Sequence, residues 1–146
     1  MKVRLTIVIT CFLVAFMSLT GCKKEQKQGR VTVKDYQFVT RQDGPHSYAI
    51  DAKGTVKNVG SVDVKNIIIT GYCNSCGKMM INGQWFISDV EKMPEQKAVI
   101  SYLTPGAEEP FKFKGVAFMM QQSGMKPEKM PDSMEVKIVS FETVQQ

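Results

Sequence analysis

Residues 54–78, GTVKNVGSVDVKNIIITGYCNSCGK, determine the expected fold because they contain two apolar segments, a tight turn between them and a second turn after them. The first turn, residues 58–61 (NVGS), is built from residue types that favour turns. Ile67, Ile68 and Ile69 make the second segment apolar on both faces, as in the central strand of a sandwich. Cys73 and Cys76 close the second turn. We therefore expect two strands followed by a cysteine-closed loop.

The sequence on either side of this stretch also has a period of two, interrupted by Pro and Gly turns, and it contains no convincing helical pattern. Tyr48, Ile50 and Val56 fall on one face of a predicted strand. A change of phase near Lys34 and Asp35 indicates a β-bulge. We expect an all-β fold, a single immunoglobulin-like antiparallel β-sandwich of about seven strands, without the inter-sheet cysteine pair of antibody domains.

The net charge of +5 is concentrated before the predicted domain. The six basic residues that precede Val31 are Lys2, Arg4, Lys23, Lys24, Lys27 and Arg30. From Val31 onward, thirteen Lys and Arg balance thirteen Asp and Glu. A nucleic-acid-binding domain needs a basic surface of its own, so we expect no nucleic-acid partner.

The first 22 residues have the parts of a secretory signal, namely a basic start, an apolar run and an exit of small residues. The exit, residues 19–22 (LTGC), resembles the lipobox of bacterial lipoproteins. That resemblance implies cleavage before Cys22, a diacylglycerol thioether on its sulfur and acylation, such as palmitoylation, of its amino group. The alternative is an ordinary secreted protein in which Cys22 is incidental.

The expected organisation is a lipoprotein signal peptide at 1–21, a lipidated Cys22 with a flexible basic spacer at 22–30, and a β-sandwich domain at 31–146. Several acyl chains would hold such a protein firmly on a membrane without spanning it. We expect a bacterial cell-membrane location, outside the cytoplasm. Lys23 after the lipidated cysteine favours the outer membrane if the bacterium is Gram-negative.

A second resemblance rests on the order GTVKNVG, VKNIIITGY, a glycine turn and LTPGAEEPFKF. This order, covering residues 47–113, resembles the FxLYD domain, a small β-sandwich of bacterial cell-envelope proteins. The pentapeptide that names the family falls on residues 69–73, where Tyr72 keeps its identity and Cys73 takes the aspartate position. The resemblance implies an extracytoplasmic module and brings no catalytic residues.

The mature protein is expected to keep two free cysteines, because Cys11 lies in the removed segment and Cys22 is acylated. We expect Cys73 and Cys76 to form a disulfide, since a spacing of three across a turn brings Cα atoms to disulfide distance and exported proteins retain disulfides. In this interpretation the disulfide cross-links the two sides of a loop at the tip of a β-hairpin.

Three other hypotheses concern the same loop. The C-x-x-C pair is a redox couple in some proteins, but there it begins a helix, and here we expect strands. A zinc knuckle needs a second ligand pair, which the chain lacks unless it dimerises. Cys73, Cys76, Met79 and Met80 form a candidate soft-metal site for Cu(I), against the alternative that methionine fills gaps between sheets. Haem attachment would need histidine in place of Gly77.

The remaining residues do not indicate an enzyme. His46 is the single histidine and is expected in an exposed turn, and the carboxylates form no catalytic pair. Phosphate-binding and esterase motifs are absent. Trp85 and Phe86 belong either to the core or to an exposed binding patch.

These observations favour a non-enzymatic, membrane-anchored envelope lipoprotein that acts as a protein-binding or structural accessory module. Its expected partners are the membrane, through the lipid on Cys22, and an envelope protein. No small-molecule substrate and no cofactor are expected besides the covalent lipid on Cys22, unless the cysteine loop takes up copper. The alternative is a thiol-redox or Cu(I)-handling accessory protein that uses Cys73 and Cys76.

Overall fold

The computed structural model of the chain describes residues 27–88 and 91–144. The predicted signal peptide and Cys22 lie outside the described residues. The described part contains seven strands, which are β1 (Val31–Gly44), β2 (Ser47–Asn58), β3 (Val64–Cys73), β4 (Trp85–Phe86), β5 (Lys97–Leu103), β6 (Glu108–Met120) and β7 (Met134–Thr143). Its helical structure is one 3₁₀ turn, Pro94–Gln96. The predicted all-β class is confirmed.

The strands form two antiparallel sheets that pack on each other. One sheet has the order β1-β2-β6-β4 and the other has the order β5-β3-β7. After the β1–β2 pair, each connection along the chain leads from one sheet to the other. Two sheets with their apolar faces together make a sandwich, so the expected seven-strand antiparallel sandwich is confirmed.

The core lies between β2 and β6 on one side and β3 on the other. Ile50 and Val56 on β2 are fully buried, as their alternation with polar residues predicted. Ile67 and Ile69 on β3 are also fully buried, whereas Ile68 is partly buried on the outer face of the sheet. β3 has a neighbour on each side, so the predicted central position of this apolar strand is confirmed.

Register shifts in the strand pairing set which side chains face the core, and two of them lie at non-glycine residues with a positive φ. The pairing of β1 with β2 shifts register after Lys34, where Asp35 has a φ of 51°, and this confirms the predicted bulge. The second bulge, at Asn66 with a φ of 52°, was not predicted. Asparagine tolerates this left-handed conformation better than most residues. Because of the extra residue, Val64 and Ile67 are both buried although they are three positions apart.

Asn58, at the end of β2, is a fully buried polar residue that links the two sheets. Its amide Nδ2 donates to the carbonyl oxygens of Val62 at 2.8 Å and Leu103 at 3.0 Å. Its Oδ1 accepts from the backbone N–H of Gly60 at 2.9 Å, and its backbone N–H donates to the carbonyl of Ala107 at 3.0 Å. Burial of these polar groups does not destabilise the fold, because each has a hydrogen-bond partner.

The chain enters the first strand and leaves the last strand at the same end of the sandwich. Val31, the first residue of β1, pairs with Asn58, and Thr143, the last residue of β7, pairs with Val64. We call this the tether end, because the predicted spacer, residues 22–30, leads into it.

The opposite end, which we call the cysteine end, contains the cysteine loop. There Ser47 pairs with Met120, and Cys73 pairs with Met134. β1 runs from one end to the other with 14 residues, a length of roughly 40 Å at the usual rise of a strand. The two ends are therefore well separated.

Asn58→Ala is predicted to lower the free energy of unfolding by about 3 kcal/mol, because it leaves two carbonyl groups and one N–H without their partner. Urea denaturation followed by circular dichroism measures this loss. Asn74→Ala is the matched control: Asn74 is exposed and bonds Glu135, so its loss is expected to be below about 0.5 kcal/mol. Equal losses for the two variants would contradict the role given to Asn58.

Candidate functional site

The cysteine loop begins where β3 ends. The sulfur atoms of Cys73 and Cys76 lie at disulfide-bonding distance, and their Cα atoms are 5.5 Å apart, as predicted for this pair. Cys73 is buried in the core, whereas Cys76 is partly exposed. The loop is not the tip of a hairpin, because β3 and β4 belong to different sheets. The disulfide instead closes a turn at a crossing between sheets.

The cysteine loop is hydrogen-bonded to two other segments of the cysteine end. On one side, the N–H of Asn74 donates to the carbonyl of Ser133 at 2.8 Å, and the N–H of Ser133 donates to Ser75 Oγ at 3.0 Å. On the other side, the N–H of Gly77 donates to the carbonyl of Trp85 at 3.0 Å. The loop therefore connects β4 with the segment that leads into β7.

A cleft of about 640 Å³ opens between these two segments. Its apolar lining comes from Trp85 on β4, Met119 on β6, and Met125 and Met130 in the 121–133 loop. Met119 is buried, while Met125 is 66% exposed. The cleft has the size of a ligand site and places flexible thioether side chains beside one aromatic ring.

Trp85 belongs both to the core and to the cleft, so the two interpretations of this residue are compatible. It packs against the core cluster and is partly exposed. Its indole Nε1–H donates to the carbonyl of Lys129 at 2.9 Å, and its backbone pairs with Met119. The hydrogen bond fixes the indole against the 121–133 loop, since a tryptophan in a partly buried site needs a partner for its N–H.

The charges around the cleft nearly cancel. Lys126 and Lys129 line it together with Glu128 and Asp132. The neighbouring carboxylate of Glu135 has a lowered pKa, because Lys137 and then Asn74 of the cysteine loop donate hydrogen bonds to it. The cleft is thus suited to a ligand without a strong net charge.

The four residues of the candidate Cu(I) site are not brought together as thiolate and thioether ligands. The sulfurs of Cys73 and Cys76 are bonded to each other. The side chains of Met79 and Met80 are 72% and 65% exposed. Within residues 27–88 and 91–144, no three His, Cys, Asp or Glu side chains are grouped as a metal site.

His46 occupies an exposed turn between β1 and β2, as expected from the sequence. Its backbone carbonyl accepts a hydrogen bond from the N–H of Gln121 at 2.8 Å, which holds the start of the 121–133 loop. The carbonyl of Gly124 in the same loop accepts a hydrogen bond from the hydroxyl of Tyr48 at 2.7 Å. These contacts shape the wall of the cleft.

Sequence reasoning missed the 121–133 loop as a wall of the cleft. It considered methionine only as a soft-metal ligand at Met79 and Met80 or as filling between sheets. The available signal was the clustering of Met119, Met120, Met125 and Met130 in one short segment with two prolines. Met125 and Met130 lie outside the period-two pattern and have no strand position in the core to fill, which favours a surface that binds something.

Comparison with protein-family models, curated proteins and solved structures finds no match to this chain. Across the two described ranges, none of the helical structure is long or apolar enough to cross a lipid bilayer.

Replacing both cysteines, Cys73→Ser with Cys76→Ser, is predicted to lower the free energy of unfolding by about 2 kcal/mol, the entropy contribution of so short a ring. The N–H of Gly77 donates a hydrogen bond to the carbonyl of Trp85, so a looser loop should leave this single tryptophan more exposed to water. Its fluorescence is therefore expected to shift to longer wavelength. Urea denaturation and emission spectra of the native variant measure the two effects. An unchanged spectrum would show that the disulfide does not support the cleft.

Proposed function

We propose that this protein is a lipid-anchored, non-enzymatic envelope protein that binds an extended, apolar segment of a partner protein in the cleft at the cysteine end. The observation that carries the proposal is the position of the cleft. It opens at the end of the sandwich opposite the one where the chain enters β1. A protein held through Cys22 and the spacer 22–30 would present this end away from its membrane.

Support for the anchor comes from the N-terminal sequence. The basic start, the apolar run and the lipobox-like residues 19–22 place an acylated Cys22 shortly before β1. The spacer is short and polar, and its last residues are docked on the domain, where the carbonyls of Gln28 and Arg30 accept hydrogen bonds from the backbone N–H groups of Ser61 and Val59. It would therefore keep the tether end close to the bilayer. The expected location is the outer face of a bacterial membrane, with the outer membrane favoured in a Gram-negative cell.

Support for a protein partner comes from the chemistry of the cleft. Methionine side chains adapt their shape to different partners, and tryptophan is enriched at the energetic centres of protein interfaces. The near-neutral rim, with Lys126 and Lys129 against Glu128 and Asp132, favours apolar side chains over a charged ligand. An extended segment is a suitable ligand because the cleft is open to solvent rather than enclosed.

A thiol-redox role is the second candidate, favoured by the partial exposure of Cys76 beside the cleft. In that role a dithiol reductant would be oxidised to a disulfide while Cys73 and Cys76 become thiols, two electrons passing between the pairs. Counting free thiols by alkylation and intact mass, before and after mild dithiol, tests it. A pair that resists mild reductant would remove this candidate and leave peptide binding.

A photo-crosslinking residue, benzoylphenylalanine, in place of Met125 is predicted to form one discrete protein adduct in intact cells, because Met125 lines the cleft and is exposed. Immunoblotting of the tagged full-length chain detects the adduct. The same residue in place of Val139, which is 54% exposed on the other sheet, is the matched control. Adding Met130→Asp should abolish the adduct at position 125. Equal labelling at 125 and 139, or none at 125, would contradict the proposed site.

Cys22→Ser in the full-length chain is predicted to move the protein out of the membrane fraction, because the thioether lipid has no other attachment point. Cys11→Ser is the matched control and should stay with membranes, since that residue lies in the segment to be removed. Cell fractionation and immunoblotting measure both. Membrane retention of the Cys22→Ser variant would remove lipidation from the proposal.

A further inference from the structure

Most lysines on the strands are paired with a carboxylate. Lys34 and Lys57 both contact Glu108, at 3.3 Å and 2.8 Å, and the other paired lysines of the strands are Lys65, Lys97 and Lys137. Lys53, Lys112 and Lys114 have no ion pair with any residue that the structure describes. All three lie on neighbouring strands, β2 and β6, of one sheet.

Two of these lysines repel each other across the strand pair. Lys53 on β2 is directly opposite Lys112 on β6. Directly opposed side chains on antiparallel strands have Cβ atoms about 5 Å apart, and like charges in this position are destabilising. Among the other opposed pairs of the described strands, none carries two like charges, so a stabilising role in the fold does not explain this one. A bound anion would convert the repulsion into attraction.

Asp51, a carboxylate on this face, already accepts hydrogen bonds from other groups. Asp51 accepts hydrogen bonds from Arg41 at 2.7 Å and from the backbone N–H of Gly115 at 3.1 Å. The hydrogen bonds that Arg41 donates to Asp51 and Asp43 raise the pKa of its guanidinium above the ordinary value, so this cation is already paired with its carboxylates. Asp51 is therefore not free to neutralise the neighbouring lysines.

A cavity of about 510 Å³ lies beside the three lysines. Val39 is the exposed apolar side chain of its lining, since Phe113 is buried in the core, and Lys97 borders it from β5. Glu95 is the one carboxylate besides Asp51 among its lining residues. β4 pairs with β6 only at positions 118 and 119, so β4 does not cover β6 beside Lys112 and Lys114. The cavity is larger than a single inorganic anion needs and within the usual range for an organic ligand.

We infer that Lys53, Lys112 and Lys114 form a binding site for an amphiphilic anion, a phosphate or carboxylate head group attached to an apolar chain. The lysines bind the head group through charge-assisted hydrogen bonds, and Val39 together with the aliphatic stems of the lysines takes the first part of the chain. The site lies on the outer face of the β1-β2-β6-β4 sheet and is separate from the cleft at the cysteine end. It is a second binding function, independent of the proposed protein partner.

Isothermal titration of the full-length chain with dodecyl phosphate, kept below its micelle concentration, tests the site. We expect saturable one-to-one binding, at least tenfold weaker binding of inorganic phosphate, and no binding of the neutral detergent dodecyl maltoside. Lys112→Gln should weaken dodecyl phosphate binding about tenfold, because a charge-assisted hydrogen bond is lost. The same variant should melt at a higher temperature without ligand, because the repulsion from Lys53 is removed.

Lys137→Gln is the matched control, since Lys137 is exposed on the other sheet and paired with Glu135. It should bind dodecyl phosphate like the unchanged chain and should not gain thermal stability. Unchanged binding by the double variant Lys53→Gln, Lys112→Gln would overturn the inference. Equal binding of dodecyl phosphate and inorganic phosphate would overturn the part assigned to the apolar lining.

Discussion

The fully buried amide of Asn58 is the interaction on which the arrangement of the sandwich depends. It joins the end of β2 to the turn before β3 and to the end of β5, and these strands belong to different sheets. An apolar residue there would leave buried carbonyl groups unpaired, so the position demands a side chain with both donors and an acceptor. This amide holds the two sheets together at the tether end. At the cysteine end, the loops are positioned by other contacts.

At the cysteine end a short covalent ring takes the place of a buried polar residue. The disulfide of Cys73 and Cys76 fixes a turn whose backbone bonds Ser133 on one side and Trp85 on the other. A loop that crosses between two sheets makes few strand-to-strand hydrogen bonds. The disulfide ring limits its conformations in their place. The two walls of the cleft are thus positioned through one four-residue segment.

The sequence alone predicted the strands and the pairing of Cys73 with Cys76, but it placed that pair at the tip of a hairpin. Alternation along residues 48–56 and the apolar run at 67–69 depend on local burial, which a period-two pattern records directly. The bulge at Asp35 was visible as a change of phase, whereas the bulge at Asn66 was hidden because Ile67, Ile68 and Ile69 are all apolar. The cleft was not predicted, because it depends on which sheet β4 joins and on the path of the 121–133 loop. Neither is encoded in a local pattern.

The central claim is that the cleft between β4 and the 121–133 loop is occupied by a partner protein in the envelope. Hydrogen–deuterium exchange of the full-length protein in native envelope vesicles, compared with the detergent-purified protein, tests it most directly. The account predicts slower exchange in residues 75–87 and 121–133 in the vesicles, and unchanged exchange in β5 and β7. Equal exchange of these two segments in both samples, or protection confined to another surface, would contradict it.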